Sequence, residues 1–277
     1  MEILILIFEA WKDISAPHQY GLTADWIRAT WVCRAWRNAA LGFPSLWSSI
    51  LINSPPEDGI LGIQLQRAHG VVWDLHVTCR HLYSVELQEA FYLIVDHMKS
   101  IRRLEIVYEE DRQTEIVQAF VDRVGAGLTM LRLDSDECAN DFEWDFKAAK
   151  LPLLRELDIV SIIPAVVGVL DQLTTLSISY WPGDDLQKSP YTPYLHNFLA
   201  ACPNLVTFNT IAQPFLNTSR LADLALVTRD SNLPVTVPKL RSMMISESER
   251  DTQMALSLMR LPSLSRFRIL EIGRAHV

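Results

Sequence analysis

The chain has no basic block. Its 277 residues carry 25 lysines and arginines against 33 aspartates and glutamates, a net charge of −8. Phosphate contacts need clustered cations, so no nucleic-acid partner is expected. There is no C-x-x-C pair either. Cys33, Cys79, Cys138 and Cys202 are widely spread, which points to buried free thiols in a reducing compartment, not to a disulfide framework. In that setting Asn217-Thr218-Ser219 reads as a chance sequon. No run approaches the roughly 18 apolar residues of a membrane span. The apolar start, Ile3 to Phe8, follows Glu2 with no basic residue before it and no small-residue cleavage site after it, so it does not read as a signal peptide. A soluble protein of the cytoplasm, the nucleus or both is expected, with no membrane partner.

Catalytic signatures are missing as well. The chain holds no G-x-G-x-x-G, P-loop, G-x-S-x-G or H-E-x-x-H. His69, His76, Cys79 and His81 lie close together, but their spacing fits no common zinc pattern, and a structural role is favoured. The acidic stretch DSDECANDFEWD (134–145) lacks the glycine and spacing of an EF-hand loop and reads as a solvated segment. The expectation is a non-enzyme with no cofactor and no metal.

Apolar residues, by contrast, make up 49% of the chain, enough for a sizeable core. Residues 2–12 place Ile3, Ile7 and Trp11 four apart, with Leu4 and Phe8 beside them, a helix with a broad apolar face. A turn-rich loop with Pro17 and Gly21 follows. Thr23 or Asp25 can cap a second helix, from about Ala24 to Leu41, ended by Gly42; Pro44 can open one more turn, PSLW. Two or three helices in fifty residues make a marginal core, which large aromatics can reinforce. The apolar surface is nonetheless wider than one small core needs, and such a surplus marks a partner surface. Arg34 and Arg37, beside Trp31 and Trp36, suit its rim.

EIL-x-x-IF, then VCR-x-WR-x-x-A, then P-x-LW together resemble the F-box, especially the F-box proteins of fungi. The matching positions are Glu2, Ile3, Leu4, Ile7 and Phe8, then Val32, Cys33, Arg34, Trp36, Arg37 and Ala40, then Pro44, Leu46 and Trp47. The family's leading Leu-Pro is absent, and the loop between the helices is longer than in compact members. The resemblance implies a module, residues 1–50, that docks on a Skp-type adaptor and through it on a cullin. The adaptor contact would then draw on Ile3, Leu4, Ile7, Phe8, Val32, Cys33, Arg34, Trp36, Arg37, Pro44, Leu46 and Trp47, with Val32, Trp36, Leu46 and Trp47 equally able to serve as module core.

After residue 50 a pattern recurs: apolar-x-x-apolar-x-apolar. Its middle positions are Leu75, Leu104, Leu131, Leu157, Leu176, Phe208, Leu224, Met243 and Phe267, about 24 residues apart on average. That period falls in the leucine-rich-repeat range. The alternation predicts a short strand in each unit with one buried face. Amphipathic helices are expected in SVELQEAFYLIVDHM (84–98), TEIVQAFVDRVG (114–125) and TPYLHNFLAAC (192–202). Strands alternating with helices imply a parallel sheet, and a short fixed period implies a curved solenoid. The asparagine that usually turns the chain after each strand is missing, and the spacing is uneven. The fold class read from this is an α/β repeat: a small helical module, then an irregular leucine-rich-repeat-like domain over 51–270. A compact α/β domain is the alternative. Fungal F-box proteins commonly carry a degenerate repeat region, which the resemblance adds to the periodicity.

A target protein would meet the strand face and its flanking loops. Candidate contacts are Arg103, Glu105, Arg132, Glu156, Asp158 and Arg241, with Tyr180 and Trp181 as aromatic anchors. The last seven residues, EIGRAHV, are what the DNA GAG ATC GGA AGA GCA CAC GTC TGA encodes, a common sequencing-adapter sequence behind one G. Residues 271–277 are expected to be an artefact and the chain a fragment. The resulting expectation is the substrate-recognition subunit of a Skp–cullin–F-box ubiquitin ligase. A non-ligase scaffold and a non-functional fragment remain the alternatives.

Overall fold

The computed structural model describes residues 2–15, 28–52, 60–68, 73–79, 83–94, 101–108, 111–135, 143–180, 197–212, 234–246 and 259–269. The chain forms two compact units, Met1–Glu105 and Ile106–Val277. The first contains helices α1 (Glu2–Ser15), α2 (Ala29–Val32) and α3 (Arg34–Leu41) and a 3-10 turn (Pro44–Trp47). It continues with strand β1 (Ser49–Ile52), α4 (Ile60–Arg67), β2 (Trp73–Thr78), α5 (Ser84–Ile94) and the first part of β3 (Ile101–Tyr108). The expected module boundary at residue 50 therefore falls inside β1, and the helices belong to a unit that also holds strands.

The second unit runs through α6 (Asp111–Val124), β4 (Met130–Ser135), β5 (Glu143–Lys147), β6 (Glu156–Val160), β7 (Ile163–Val167) and β8 (Thr175–Tyr180). It ends with β9 (Thr207–Ala212), β10 (Val235–Thr236), β11 (Ser242–Ser246), β12 (Met259–Arg260) and β13 (Arg266–Ile269). Nine strands form one sheet in the order β1-β2-β3-β4-β6-β8-β9-β11-β13, and β5–β7 and β10–β12 form two small sheets. Every pair whose register is recorded runs parallel. Parallel neighbours need crossover connections; those into β2, β3 and β4 hold α4, α5 and α6, and the one into β9 holds a helical segment at 197–200. The crossovers into β6, β8, β11 and β13 hold β5, β7, β10 and β12, none of which the periodicity predicts.

The repeat pattern explains the sheet. Its middle residues face one another in register: Leu131 with Leu157, Leu157 with Leu176, Leu176 with Phe208, Phe208 with Met243, and Met243 with Phe267. Side chains alternate across a strand, so the residues two further on share the inner face. Leu133, Ile159, Ile178, Thr210 and Ile245 are all buried there. Ile50 pairs with Leu75, which makes β1 a rung that the pattern did not include. The seventh expected unit, LADLAL (221–226), lies outside the described residues, and β9 pairs directly with β11.

Each rung from β6 onward is entered by the same turn. Leu154 N–H donates to Leu151 O, Leu173 to Leu170, Leu205 to Cys202, Leu240 to Val237 and Leu264 to Leu261. Pro152, Pro203, Pro238 and Pro262 follow the first residue of four of these turns, where the ring's fixed φ suits the second turn position. One carbonyl then serves two donors of the next rung. Arg155 O accepts from Thr174 and Thr175, Thr174 O from Val206 and Thr207, and Val206 O from Arg241 and Ser242. The entry to β4 uses the same turn, Leu128 N–H donating to Gly125 O, and there Gly125 passes so close to Lys150 O that a Cβ would overlap it.

Two predicted helices match closely. α5 buries Leu87, Phe91 and Ile94, and α6 buries Val117, Phe120, Val121 and Val124. Residues 197–200 are helical, and Phe198 and Leu199 are buried; Thr192 and Pro193, the expected start of that helix, are outside the described residues. The helix expected from Ala24 to Leu41 is corrected. Residues 16–27 are not described, and the remainder is broken at Cys33, whose backbone is extended (φ −158°, ψ 170°). The break takes Thr30 O away from the N–H it would accept in a continuous helix, and the Arg37 Nε–H occupies it at 2.9 Å.

Candidate partner-binding surfaces

The helical segments divide sharply between core and surface. Phe8 is fully buried on α1 and meets Trp36 of α3 edge to face, ring centroids 5.3 Å apart. Leu46 and Trp47, on the turn that Pro44 opens, are also buried, and the Trp47 Nε1–H donates to Ala40 O at 2.9 Å. Ser45 Oγ–H donates to Glu9 Oε1 at 3.4 Å, tying the same turn to α1. Phe8, Leu46 and Trp47 are thus buried in the core of this unit, which for Leu46 and Trp47 is one of the two roles the sequence left open. Trp36 is half-buried, and its ring is engaged by Phe8.

The remaining expected contacts lie outward. Ile3, Ile7, Val32, Cys33, Arg34 and Pro44 are exposed, and Leu4 is half-buried. Arg37 is exposed too, but its Nε–H is committed to Thr30 O. Two apolar strips result: Ile3, Leu6 and Ile7 on α1, and Trp31 with Val32 on α2. Ile3 is 74% exposed and Trp31 71%. Leu6 and Trp31 were not among the expected contacts. The spacing of apolar residues on α1 covers most of its circumference, so periodicity alone could not say which side turns inward; the exposure of Trp31 follows from the break at Cys33.

The outer face of the sheet forms the second candidate surface. In the first unit His76 Nδ1 lies 3.0 Å from Glu105 Oε2, and Arg103 is exposed. In the second unit the register places Arg132, Asp158, Ser177, Asn209, Met244 and Arg268 in one row. Arg132 reaches Asp158 and Asp134 at 3.3 Å each, and Asn209 Nδ2–H donates to Ser177 Oγ at 3.3 Å. Charged pairs therefore occupy the rungs at β4 and β6, and small hydroxyl and amide groups follow at β8 and β9. Glu156 is exposed in the row beside Met130 and Thr175. Arg241 is exposed just before β11, where its carbonyl accepts from Ser265 and Arg266. The Tyr180 side chain and Trp181 lie outside the described residues, as do His69, His81, Asn217–Ser219, most of the acidic stretch and the tail at 271–277.

The chemistry available on these surfaces is recognition chemistry. Among the described residues no group of three or more His, Cys, Asp and Glu could hold a metal ion, and no helix is long and apolar enough to cross a membrane. Of the described cysteines, Cys79 and Cys202 are buried, and burial pushes the Cys202 thiol up to about 12. Cys33 is exposed, against the expectation that the thiols are buried. Lys147 lies 2.8 Å from Asp122 Oδ2, and this hydrogen bond and charge raise its pKa. No family model matches the chain, and no curated protein matches it.

Proposed function

We propose that the chain is a recognition subunit that docks on a Skp-type adaptor through its N-terminal helices and holds a target protein on a leucine-rich-repeat-like solenoid. A cullin-based ubiquitin ligase would supply catalysis by proximity. One observation carries this reading. The segments that resemble the F-box keep Phe8, Leu46 and Trp47 inside while leaving Ile3, Leu6, Ile7, Trp31 and Val32 in water. Exposed aromatic and aliphatic groups beside Arg34 have the make-up of an interface. The strand order, which follows the chain, and the rung register support the solenoid part. The polar rows at β4 to β9 then suit a target that is read by hydrogen bonds and charge.

The second reading is a scaffold that makes no adaptor contact. The burial of Trp47 and the engagement of Trp36 by Phe8 favour it, because two of the module's aromatics serve the unit's own core. Co-purification of the full chain with a fungal Skp-type adaptor separates the two. Adaptor capture that is lost in Trp31→Ala and Val32→Asp, with folding unchanged, supports the ligase subunit. Folded chain that captures no adaptor leaves the scaffold.

A further inference from the structure

The outer face of the sheet changes character across the second unit. Alternation puts the residues between the buried ladder positions on this face. On β8 and β9 they are Thr175, Ser177, Ser179, Thr207 and Asn209, all half-buried and none charged. β11 adds Ser242 and Met244, again half-buried. One side of this floor is acidic. Glu156 and Asp158 on β6 stand in register with Thr175 and Ser177. Arg132 reaches Asp158 and Asp134 at 3.3 Å each. Glu156 is exposed between Met130 and Thr175 and has no ion-pair partner among the described residues.

Small side chains let a partner's main chain come close, and two of these are placed to bind it. The Asn209 Nδ2–H donates to Ser177 Oγ at 3.3 Å. That bond leaves the Ser177 O–H to donate and the Asn209 Oδ1 to accept. One donor and one acceptor thus stand on neighbouring rungs, as the C=O and N–H of a peptide unit require. No described outward position on β8, β9 or β11 carries a cation or an aromatic ring, so a phosphate chain with stacked bases finds no seat. We propose that this face holds an extended peptide segment of the target protein, laid across the strands. A lysine or arginine of that segment pairs with Glu156, small uncharged residues pass over β8 and β9, and an apolar residue meets Met244. Rungs lie about 4.8 Å apart and an extended chain advances about 3.3 Å per residue, so the cation and the apolar residue are about four positions apart. This rests on the reading of the sheet as the surface that holds a target, and not on the adaptor contact.

The test is fluorescence anisotropy on the full chain, without adaptor, using three labelled peptides of about nine residues. The first holds Lys-Ser-Gly-Ala-Leu flanked by glycine and serine. The second has Glu in place of the Lys, and the third has Trp in place of the central Gly. The first should bind at least roughly tenfold tighter than either control, and more weakly as salt is raised. Glu156→Lys should narrow the gap between the first two peptides by roughly tenfold or more, whereas mere loss of structure would weaken both alike. Ser177→Trp should abolish binding, since the new ring fills the floor. Circular dichroism and melting check that each variant folds; should Ser177→Trp fail that check, the Glu156→Lys comparison still decides. Equal binding of the three peptides, no binding of the first at roughly 1 mM protein, or an unchanged gap in Glu156→Lys would overturn the proposal. So would a concentration-dependent dimer that excludes the peptide, which would make a second copy of the chain the occupant. Because no adaptor is present, failure here is distinct from a failure of adaptor capture.

Discussion

Trp47 and Trp31 lie sixteen positions apart in one short helical region, yet their truncation should have opposite consequences. Trp47 is 3% exposed, and its indole N–H is bound to Ala40 O. A buried tryptophan removes roughly 150–250 Å² from water. At about 25 cal/mol per Å² that is about 4–6 kcal/mol, and the lost hydrogen bond adds about 1 kcal/mol. Partial collapse of the cavity offsets some of this, so Trp47→Ala should cost about 3–5 kcal/mol. Trp31 stands in water, and Trp31→Ala should change stability by no more than about 0.5 kcal/mol. Urea titration followed by far-ultraviolet circular dichroism reads both, provided the slope with denaturant stays constant. On adaptor capture the weights reverse. Trp31→Ala should lose about 2 kcal/mol of binding, as a central aromatic of an interface does. Equal destabilisation by the two variants would refute the core-and-surface division on which the adaptor reading depends.

Three further outcomes follow from local chemistry. Gly125→Ala should destabilise by more than the usual 1 kcal/mol or so of a core change, because the new Cβ overlaps the backbone oxygen of Lys150, which cannot swing away; thermal melting reads this. Thr210 occupies an inner ladder position that Ile178 and Ile245 fill with hydrocarbon, and its Oγ1 is buried with no partner among the described residues. Thr210→Val should therefore raise stability by about 1 kcal/mol in the same titration. Burial pushes the Cys202 thiol up to about 12, well above the ordinary thiol range. A raised thiol pKa means that its stabilisation is complete below about pH 9 and is lost as pH climbs toward 12, since the unfolded thiol ionises first. Cys202→Ala should flatten the alkaline limb of the stability profile, and an unchanged limb would show that another group sets it.

Much of the sheet was legible because one physical signal, alternation with a buried face, repeats. The residues that carry it, from Leu75 to Met243, needed no knowledge of tertiary contacts. β1 was hidden because its pattern, Trp47-x-x-Ile50-x-Ile52, begins inside the PSLW turn, where Trp47 reads as part of the helical module. β5, β7, β10 and β12 were hidden because each lies in a crossover, where the period predicts a helix. The turn ahead of β6, β9, β11 and β13 is written in the sequence as apolar-Pro-x-Leu, at Leu151, Cys202, Val237 and Leu261. The repeat pattern begins at the last residue of that turn, Leu154, Leu205, Leu240 or Leu264, and so does not contain it. The candidate site was less legible. An F-box-like motif assigns types to positions without saying which of Phe8, Trp31, Trp36 and Trp47 turn inward. That depended on the break at Cys33, for which neither proline nor glycine gave warning.

Uneven spacing and strict register are compatible because they are set by different parts of the chain. Leu157 and Leu176 are paired neighbours, and so are Phe208 and Met243, although very different lengths of chain join them. Pairing fixes each strand by its buried face, and a slip of one residue would expose every ladder side chain. The crossovers carry no such constraint, since loop length costs only about 0.6 kcal/mol per doubling. One alanine inserted between Asp158 and Ile159 should therefore turn Ile159 off the inner face of β6 and cost about 2–5 kcal/mol, the range for losing a buried isoleucine. The same alanine inserted between Asp184 and Asp185, in the long connection from β8 to β9, should cost less than about 0.5 kcal/mol. Paired melting curves distinguish the two sites. If both insertions are equally harmful, register is not what holds these rungs, and the spacing itself is under constraint.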